Sequence, residues 1–245
     1  MWPFTRHFSI EETGFLTGAT DFHSHILPGV DDGIRTLKES LAVLAYYREA
    51  GIREVWLTPH IMEDFPNEPE DLRRRFDALC QAYDGPLTLH LAAENMMDAL
   101  FEQRFFDGKL LPMGTEGRPH LLVETSYFNP PMRLWALFQE IKAQGYFPIL
   151  AHPERYVYMT RKDYARLFDS GVLLQLNLMS LTGIYGQEAA AKSRKFLLDG
   201  RYTFFGSDIH RLEPFRRAMA QKALSGKEVR ALNALKEKNE KYIKA

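Results

Sequence analysis

Cysteine is nearly absent from this 245-residue chain, with Cys80 the only one. No disulfide can form within it, which excludes a disulfide-stapled fold and fits a reducing compartment. No apolar run approaches the ~20 residues that a membrane span requires. The first twelve residues include Glu11 and Glu12 where a signal peptide needs an unbroken apolar segment. Neither sign of charge is in excess: 31 Lys and Arg against 32 Asp and Glu leave a net charge of −1. The basic residues form no stripe, so nucleic acid is not expected as a partner. A Pro/Ser-rich linker and any shift in composition are also missing. The expectation is one cytoplasmic domain over residues 1–245, without membrane insertion. Residues 1–20 are an N-terminal extension to which the sequence assigns no role, and the oligomeric state is unknown.

Apolar residues are plentiful, at 45% of the chain with 13% aromatic, enough for a full core. Seven short apolar runs read as strands, near 20–25, 53–59, 87–94, 120–125, 146–151, 172–178 and 202–207. Most are continuous and not alternating, as in Val55-Trp56-Leu57 and Leu121-Leu122-Val123, which predicts parallel strands covered on both faces. Helical patterns fall between them, at 37–50, 69–83, 131–144, 161–169 and 187–199, with two more near 214–224 and 227–243. The first opens with a capping box, Thr36 with Glu39, and stops at Gly51. Glycine also punctuates the helix-to-strand passages at Gly145, Gly171 and Gly200. The reading is a single α/β domain with a parallel, closed sheet.

Five of the eight histidines stand at or just after a predicted strand end. Strand one offers His23 and His25, with Asp21 before them and Asp32 in the next loop. His60 follows strand two, Glu94 ends strand three and Glu124 ends strand four. Strand five ends in His152-Pro-Glu-Arg155, and strand seven in Asp208-Ile-His210. Strand six contributes Asn177 at most. Any one strand-end histidine is more often hydrogen-bonded structure than ligand. The joint pattern says otherwise, because buried carboxylates seldom accumulate without metals or partners. It also gathers at the end where α/β barrels place active sites.

Imidazole and carboxylate without thiolate suit Zn²⁺, Mn²⁺ or Fe²⁺ and do not choose among them. Nine ligands are too many for one ion and enough for two or three. Four carboxylates bring about −4 and three divalent ions about +6, so roughly +2 remains, and Arg155 adds to it. That surplus attracts a phosphate dianion. Clustered metals also acidify a bridging water and so supply hydroxide near neutral pH.

The segment Asp21-Phe-His-Ser-His-Ile-Leu-Pro-Gly-Val-Asp-Asp-Gly33 resembles the opening motif of the bacterial capsule-type tyrosine phosphatases, members of the polymerase-and-histidinol-phosphatase (PHP) superfamily. Thr-Pro-His60, Ala-Ala-Glu94-Asn, Leu-Val-Glu124, Ala-His152-Pro-Glu-Arg155-Tyr and Gly-Ser-Asp208-Ile-His210 follow in that family's order, from about residue 20 to 212. The resemblance implies a distorted (β/α)7 barrel of the PHP type, with outer helices and a trinuclear centre, manganese foremost and iron or zinc as alternatives. It implies hydrolysis of phosphotyrosine on a protein, such as the tail of a bacterial tyrosine kinase of capsule or exopolysaccharide biosynthesis. By position, one metal would take His23, His25, Glu94 and Asp208, and a second Asp32, His60 and His210. A third would take Glu94 as a bridge, with Glu124 and His152. Asp32 is preferred to Asp31 because the family's ligand directly precedes the glycine. Arg155 matches the arginine that grips the phosphate. A further family arginine has two candidates, Arg211 and Arg216, and the sequence does not choose.

Other readings remain. Histidinol-phosphate phosphatases share nearly all these ligands, and the Leu-Pro-Gly-Val-Asp-Asp-Gly loop favours the tyrosine phosphatase branch. Amidohydrolases often carry a lysine where Glu124 stands, and a non-catalytic metal-stabilised module would be expected to lose ligands. Thiolate phosphatase chemistry needs an arginine six residues after the cysteine, where this chain has Pro86. Cys80 falls in a predicted helix and reads as a core residue. Phe65, Tyr127, Phe128, Tyr156 and Tyr158 fall in strand-to-helix loops and form a predicted aromatic rim, of which one or two would contact a phosphotyrosine ring.

Overall fold

The computed structural model describes residues 6–114 and 118–243. Its strands are β1 (Thr20–Ser24), β2 (Glu54–Leu57), β3 (His60–Ile61), β4 (Thr88–Leu91), β5 (Glu94–Met96), β6 (His120–Glu124), β7 (Phe147–Leu150), β8 (Leu173–Asn177) and β9 (Phe204–Gly206). All pair in parallel, in the orders β1-β2-β4 and β3-β5-β6-β7-β8-β9. The helices are α1 (Leu37–Glu49), α2 (Pro69–Ala82), α3 (Phe101–Phe106), α4 (Leu134–Ala143), α5 (Arg161–Asp169), α6 (Gln187–Leu198), α7 (Leu212–Ala220) and α8 (Gly226–Ile243). The result is an α/β fold whose parallel sheet curls on itself.

Two predicted strands are each split. Pro59 has no amide hydrogen, so the run over 53–59 breaks into β2 and β3. The run over 87–94 divides at Ala92-Ala93 into β4 and β5. Bonds bridge the break, from Ala92 N to Leu57 O and from Glu94 N to Pro59 O. At the far side, Asp208 N donates to His23 O and His25 N to Ile209 O, which brings the chain after β9 against β1.

The inward face follows from the period of two along each strand. Phe22, Trp56, Leu122, Ile149, Leu173 and Phe204 gather into an apolar cluster separate from the main core. Their neighbours Val55, Leu57, Leu121, Val123, Leu150 and Phe205 pack into the main core, to which helices such as α4 and α6 contribute. One or two pleats further along the inward face come Glu124 after Leu122, Gln175 and Asn177 after Leu173, and Asp208 after Phe204. An apolar plug thus fills the lower part of the curl and lifts the polar groups to its C-terminal end. Burial on both faces holds for β1, β6 and β9, but not for β2 and β4. There Trp56 is half-buried and stacks on His90 at 4.6 Å, leaving the pair without full cover.

The helices start and stop close to expectation. Thr36 accepts from Glu39 N, and the Glu39 carboxylate accepts from Thr36 N, completing the capping box of α1. Helix α4 begins at Leu134, after the Pro130-Pro131 pair, and not at 131. Helix α7 begins two residues earlier than expected, because Pro214 is tolerated in a first turn that needs no amide donor. Helix α3 was not foreseen; six residues are too few to show a period.

Residues 6–19 pack against the core through part of their side chains. Phe8 pairs with Leu224, and Ile10, Phe15 and Leu16 are buried, with Phe15 against Phe205 at 4.9 Å. Residues 1–5 lie outside the described part of the chain. Cys80 corrects another expectation: it is exposed, not core. Leu72 and Leu79, seven positions apart, are the buried leucines of α2, and Cys80 sits about 100° round from Leu79.

Candidate metal centre

All nine predicted ligands converge on the C-terminal end of the curl. Asp32, His60, Glu94, Glu124, Asp208 and His210 line a cavity of about 520 Å³. His23, His25 and His152 are buried beneath it. Backbone conformation sets two of them: His152 (φ 34°) and Asp208 (φ 52°) are the only described non-glycine residues with positive φ. That conformation is costly for a residue with a Cβ and turns both side chains inward at a strand end. Gly33 and Gly206 give the close approach that the two strand-one histidines need, since a Cβ at Gly33 would collide with His25 and one at Gly206 with His23.

Three histidines have one ring nitrogen engaged elsewhere. His23 Nδ1 bonds Gln175 Oε1 at 2.7 Å, His25 Nδ1 bonds Asp31 Oδ2 at 2.8 Å, and His210 Nδ1 bonds the Asp208 carbonyl at 2.9 Å. Each therefore carries its proton on Nδ1 when neutral and presents the Nε2 lone pair to the site. Asp31 is engaged behind the site and belongs to none of the donor groups there. Beyond His25 it accepts from His60 N at 3.1 Å and Gly33 N at 2.9 Å. Asp32 Oδ1 instead faces His60 Nε2 at 3.5 Å and His210 Nε2 at 3.3 Å.

The donor atoms form three overlapping groups, each with its atoms within 4.8 Å of one another: His23, His25, Glu94 and Asp208; His25, Asp32, His60 and His210; and His60, Glu94 and Glu124. His152 Nε2 reaches the same carboxylates, 2.9 Å from Glu94 Oε1 and 3.7 Å from Glu124 Oε2. His25 and His60 thus each belong to two groups, where the family resemblance placed each in one.

These residues fit divalent cations, and the reason is an imbalance of donors. His23 Nε2 and His25 Nε2 face each other at 3.1 Å, with Glu94 Oε2 at 3.1 and 3.3 Å from them. Two neutral imidazoles and a carboxylate offer only lone pairs there. Glu94 Oε2, Glu124 Oε1 and His60 Nδ1, which face one another, are buried without a hydrogen-bond partner. Leaving such atoms bare is costly unless a cation or added protons satisfy them. Without metal, protons take that part. Burial by itself would raise the Glu94 carboxyl, but the His23 charge and the contacts to His152, His23 and His25 hold it well below the usual range. Contact with His210 lowers Asp32 to about 2.

The family model for capsular polysaccharide synthesis, CpsB/CapC, matches residues 19–231. The chain belongs to this family. Among its relatives, the tyrosine-protein phosphatase YwqE of Bacillus subtilis (strain 168) is 29% identical over 210 residues, which covers 83% of this chain and 82% of the relative. The putative tyrosine-protein phosphatase CapC of Staphylococcus aureus is 28% identical over 231 residues, covering 91% and 88%. A chain from the crystal structures of YwqE from Bacillus subtilis and CpsB from Streptococcus pneumoniae, described as unique metal-dependent tyrosine phosphatases, superposes with a TM-score of 0.75. It shares 25% identity, covering 91% of this chain and 93% of that one.

The rest of the cavity in this CpsB/CapC chain was only partly foreseen. Of the predicted rim, Phe65 and Tyr127 line it. Tyr156 does not, being fully buried with its hydroxyl donating to Ala151 O at 2.9 Å. Tyr158 bonds Thr125 Oγ1 at 2.7 Å, and Phe128 projects outward. Met62, Met179 and Tyr185 line the cavity without having been singled out, because no local pattern marks a residue outside strands and long helices as inward-facing; Met96, also missed, lies two residues after Glu94 on the same face of β5. Arg155 pairs with Asp208, Nη1 to Oδ2 at 2.9 Å, and not with its neighbour Glu154, which is buried and accepts from Asn177 N and Tyr202 Oη. Of the two open arginines, Arg211 lines the cavity, whereas Arg216 lies over Tyr46 on another face.

Proposed function

We propose that this chain is a metal-dependent phosphomonoesterase that removes phosphate from tyrosine in proteins, a tyrosine kinase of capsule or exopolysaccharide synthesis being the foremost substrate. The observation that carries the reading is the meeting, in one cavity, of a cation-demanding donor cluster with Arg155 and an apolar, aromatic wall. Family membership and the metal-dependent tyrosine phosphatases among the relatives support it.

The curled sheet is read as a distorted (β/α)7 barrel of the PHP type, with β2/β3 and β4/β5 as one strand position each. The bonds between the β9 end and β1 support that closure. His23, His25, Glu94 and Asp208 would hold one ion, Asp32, His60 and His210 a second, and Glu94, Glu124 and His152 a third. Manganese is first in preference, with iron and zinc as the alternatives the donor set also suits. When bound, the ions polarise the phosphoryl oxygens and supply a hydroxide nucleophile near neutral pH.

The chain's own side chains then bind and orient. Arg155 offers a planar set of donors to the phosphoryl oxygens, a task for which a bidentate group suits better than a lysine. Arg211, whose Nη1 donates to the Asp32 and His210 carbonyls, adds positive charge to the lining. Tyr127, Phe65 and the thioethers of Met62, Met96 and Met179 supply an apolar surface for an aryl leaving group. Among the described residues no helix is long and apolar enough to cross a membrane, and we place the enzyme in the cytoplasm.

The test compares a phosphotyrosine peptide with histidinol phosphate on manganese-loaded protein, before and after chelation. Turnover of the peptide, lost with chelator and restored by Mn²⁺, is the expected result. A preference for histidinol phosphate would move the chain to the small-molecule branch. Full activity in a metal-stripped sample would end the reading.

A further inference from the structure

We propose that Tyr185, acting with Tyr127, is a positioning residue that clamps the guanidinium of Arg155 by both faces and so holds it for the phosphate. The proposal rests on the reading of Arg155 given above. The Arg155 Cζ lies 4.2 Å from the centre of the Tyr127 ring and 4.0 Å from that of Tyr185. Three neighbouring strands deliver the three residues. Tyr127 follows β6, Arg155 ends the short 3-10 turn Pro153–Arg155 after β7, and Tyr185 follows the 3-10 turn Leu178–Thr182 after β8.

A guanidinium carries five N–H groups, all in its plane, and none on its faces. With aromatic rings covering the faces, the hydrogen-bonding edge is the part left to act. One edge is fixed by Nη1 donating to Asp208 Oδ2 at 2.9 Å. Arg155 also lines the cavity, so donors remain on the substrate side. A free arginine has several rotatable bonds to freeze when it binds an anion. A clamped one has lost that freedom in advance, so less affinity is lost on binding. Lysine has no planar face to stack, so the clamp explains the choice of arginine independently of the phosphate.

Tyr185 is itself held. It sits between Gly183 (φ 84°) and Gly186 (φ 93°), in a turn closed by Gly186 N donating to Gly183 O at 3.0 Å. Its hydroxyl contacts the Asn177 side chain, which donates to the same Asp208 oxygen as Arg155 does. Tyr127 rests on His152 and Tyr156, at 5.7 and 6.1 Å between ring centres. Tyr185 is therefore the face that can be removed with less damage beneath it.

The experiment uses the metal-loaded full chain and inorganic phosphate as probe, with affinity read by calorimetry and as a competitive inhibition constant. Tyr185→Ala and Tyr185→Leu should keep metal content, with the smaller loss of melting temperature in Tyr185→Leu. Both should weaken phosphate by about 2- to 30-fold, the range of one cation–π face, and raise KM for a phosphotyrosine peptide by a similar factor. Tyr185→Phe keeps the ring and should retain most of the phosphate affinity that the other two lose, which separates the face from the hydroxyl. Arg155→Ala is the reference and should lose about 100-fold or more in kcat/KM. Unchanged phosphate affinity in both Tyr185→Ala and Tyr185→Leu, beside a clear loss in Arg155→Ala, would overturn the clamp alone. Unchanged affinity in Arg155→Ala would overturn the phosphate role of Arg155 and the clamp with it.

Discussion

Asp31 and His25 form a buried pair, with His25 Nδ1 2.8 Å from Asp31 Oδ2, that aims the far nitrogen of the imidazole at Glu94 and Asp208. A carboxylate behind a ligating histidine fixes its tautomer and raises its basicity. Asp31→Ala removes that support without removing a proposed ligand. Metal affinity should fall about 10- to 100-fold with all nine ligands still in place, as read by titration against a competing chelator. Affinity within a factor of about two of the parent would show that Asp31 serves the loop, through Gly33 N and His60 N, and not the histidine.

Glu94 should be the ligand whose loss costs most metal. Its two oxygens contact His23, His25, His60 and His152, and it belongs to two of the three donor groups. Glu94→Gln keeps the shape and removes the charge. The expected outcome is the loss of about two ions per chain, counted by elemental analysis, against about one for Asp32→Asn. Equal single losses would show that the bridge is misplaced.

The pH dependence has two signs, depending on metal. In the metal-free protein, burial and the His25 charge push the His60 pKa down, but Glu124 and Glu94 outweigh them and lift it to about 9. Metal binding must displace that proton, so apparent affinity should rise from about pH 6 to 9, with proton release measurable in buffers of different ionisation enthalpy. Stability of the metal-free form runs the other way. A histidine raised on folding contributes fully below its unfolded value of about 6.5, and the contribution fades as pH climbs through about 9. Melting temperature in chelator should therefore fall between about pH 7 and 9.5, while the metal-loaded form holds steady. A chelated sample that grows more stable over that window would contradict the assignment.

Cys80 should be dispensable. It is exposed on α2, outside the lining of the metal cavity. Cys80→Ser should change stability by no more than ~0.5 kcal/mol and leave turnover within about two-fold. A collapse of turnover in that variant would revive thiolate chemistry.

Much of this candidate site could be read from the chain alone, because its proposed ligands sit at strand ends and strand ends are local events. Period and punctuation placed His23, His60, Glu94, Glu124, His152 and Asp208 at one end of a parallel sheet. The preference for Asp32 over Asp31 came from the family resemblance, in which the ligand precedes the glycine, and in the structure Asp31 accepts from His25 and two backbone amides. What failed was also local in cause. A run of apolar letters does not tell how fully the facing strands close over the inward side, so Trp56 was expected to be buried and is half-exposed beside His90. Cys80 was expected inside because helical periodicity gives a face but not how wide that face is.

The sequence by itself determined the types of the candidate ligands, their order along the strands and the α/β alternation, since each depends on residues within a few positions of one another. Only the tertiary structure decided which nitrogen each histidine presents, which arginine reaches the cavity and what faces Arg155. Gln175 bonds His23 across 152 positions, and Arg155 meets Asp208 across 53. Contacts over such separations are fixed by strand register and by the two left-handed residues, His152 and Asp208. Register is set by how the apolar plug packs inside the curl, a property of all the strands together that no single stretch of chain carries.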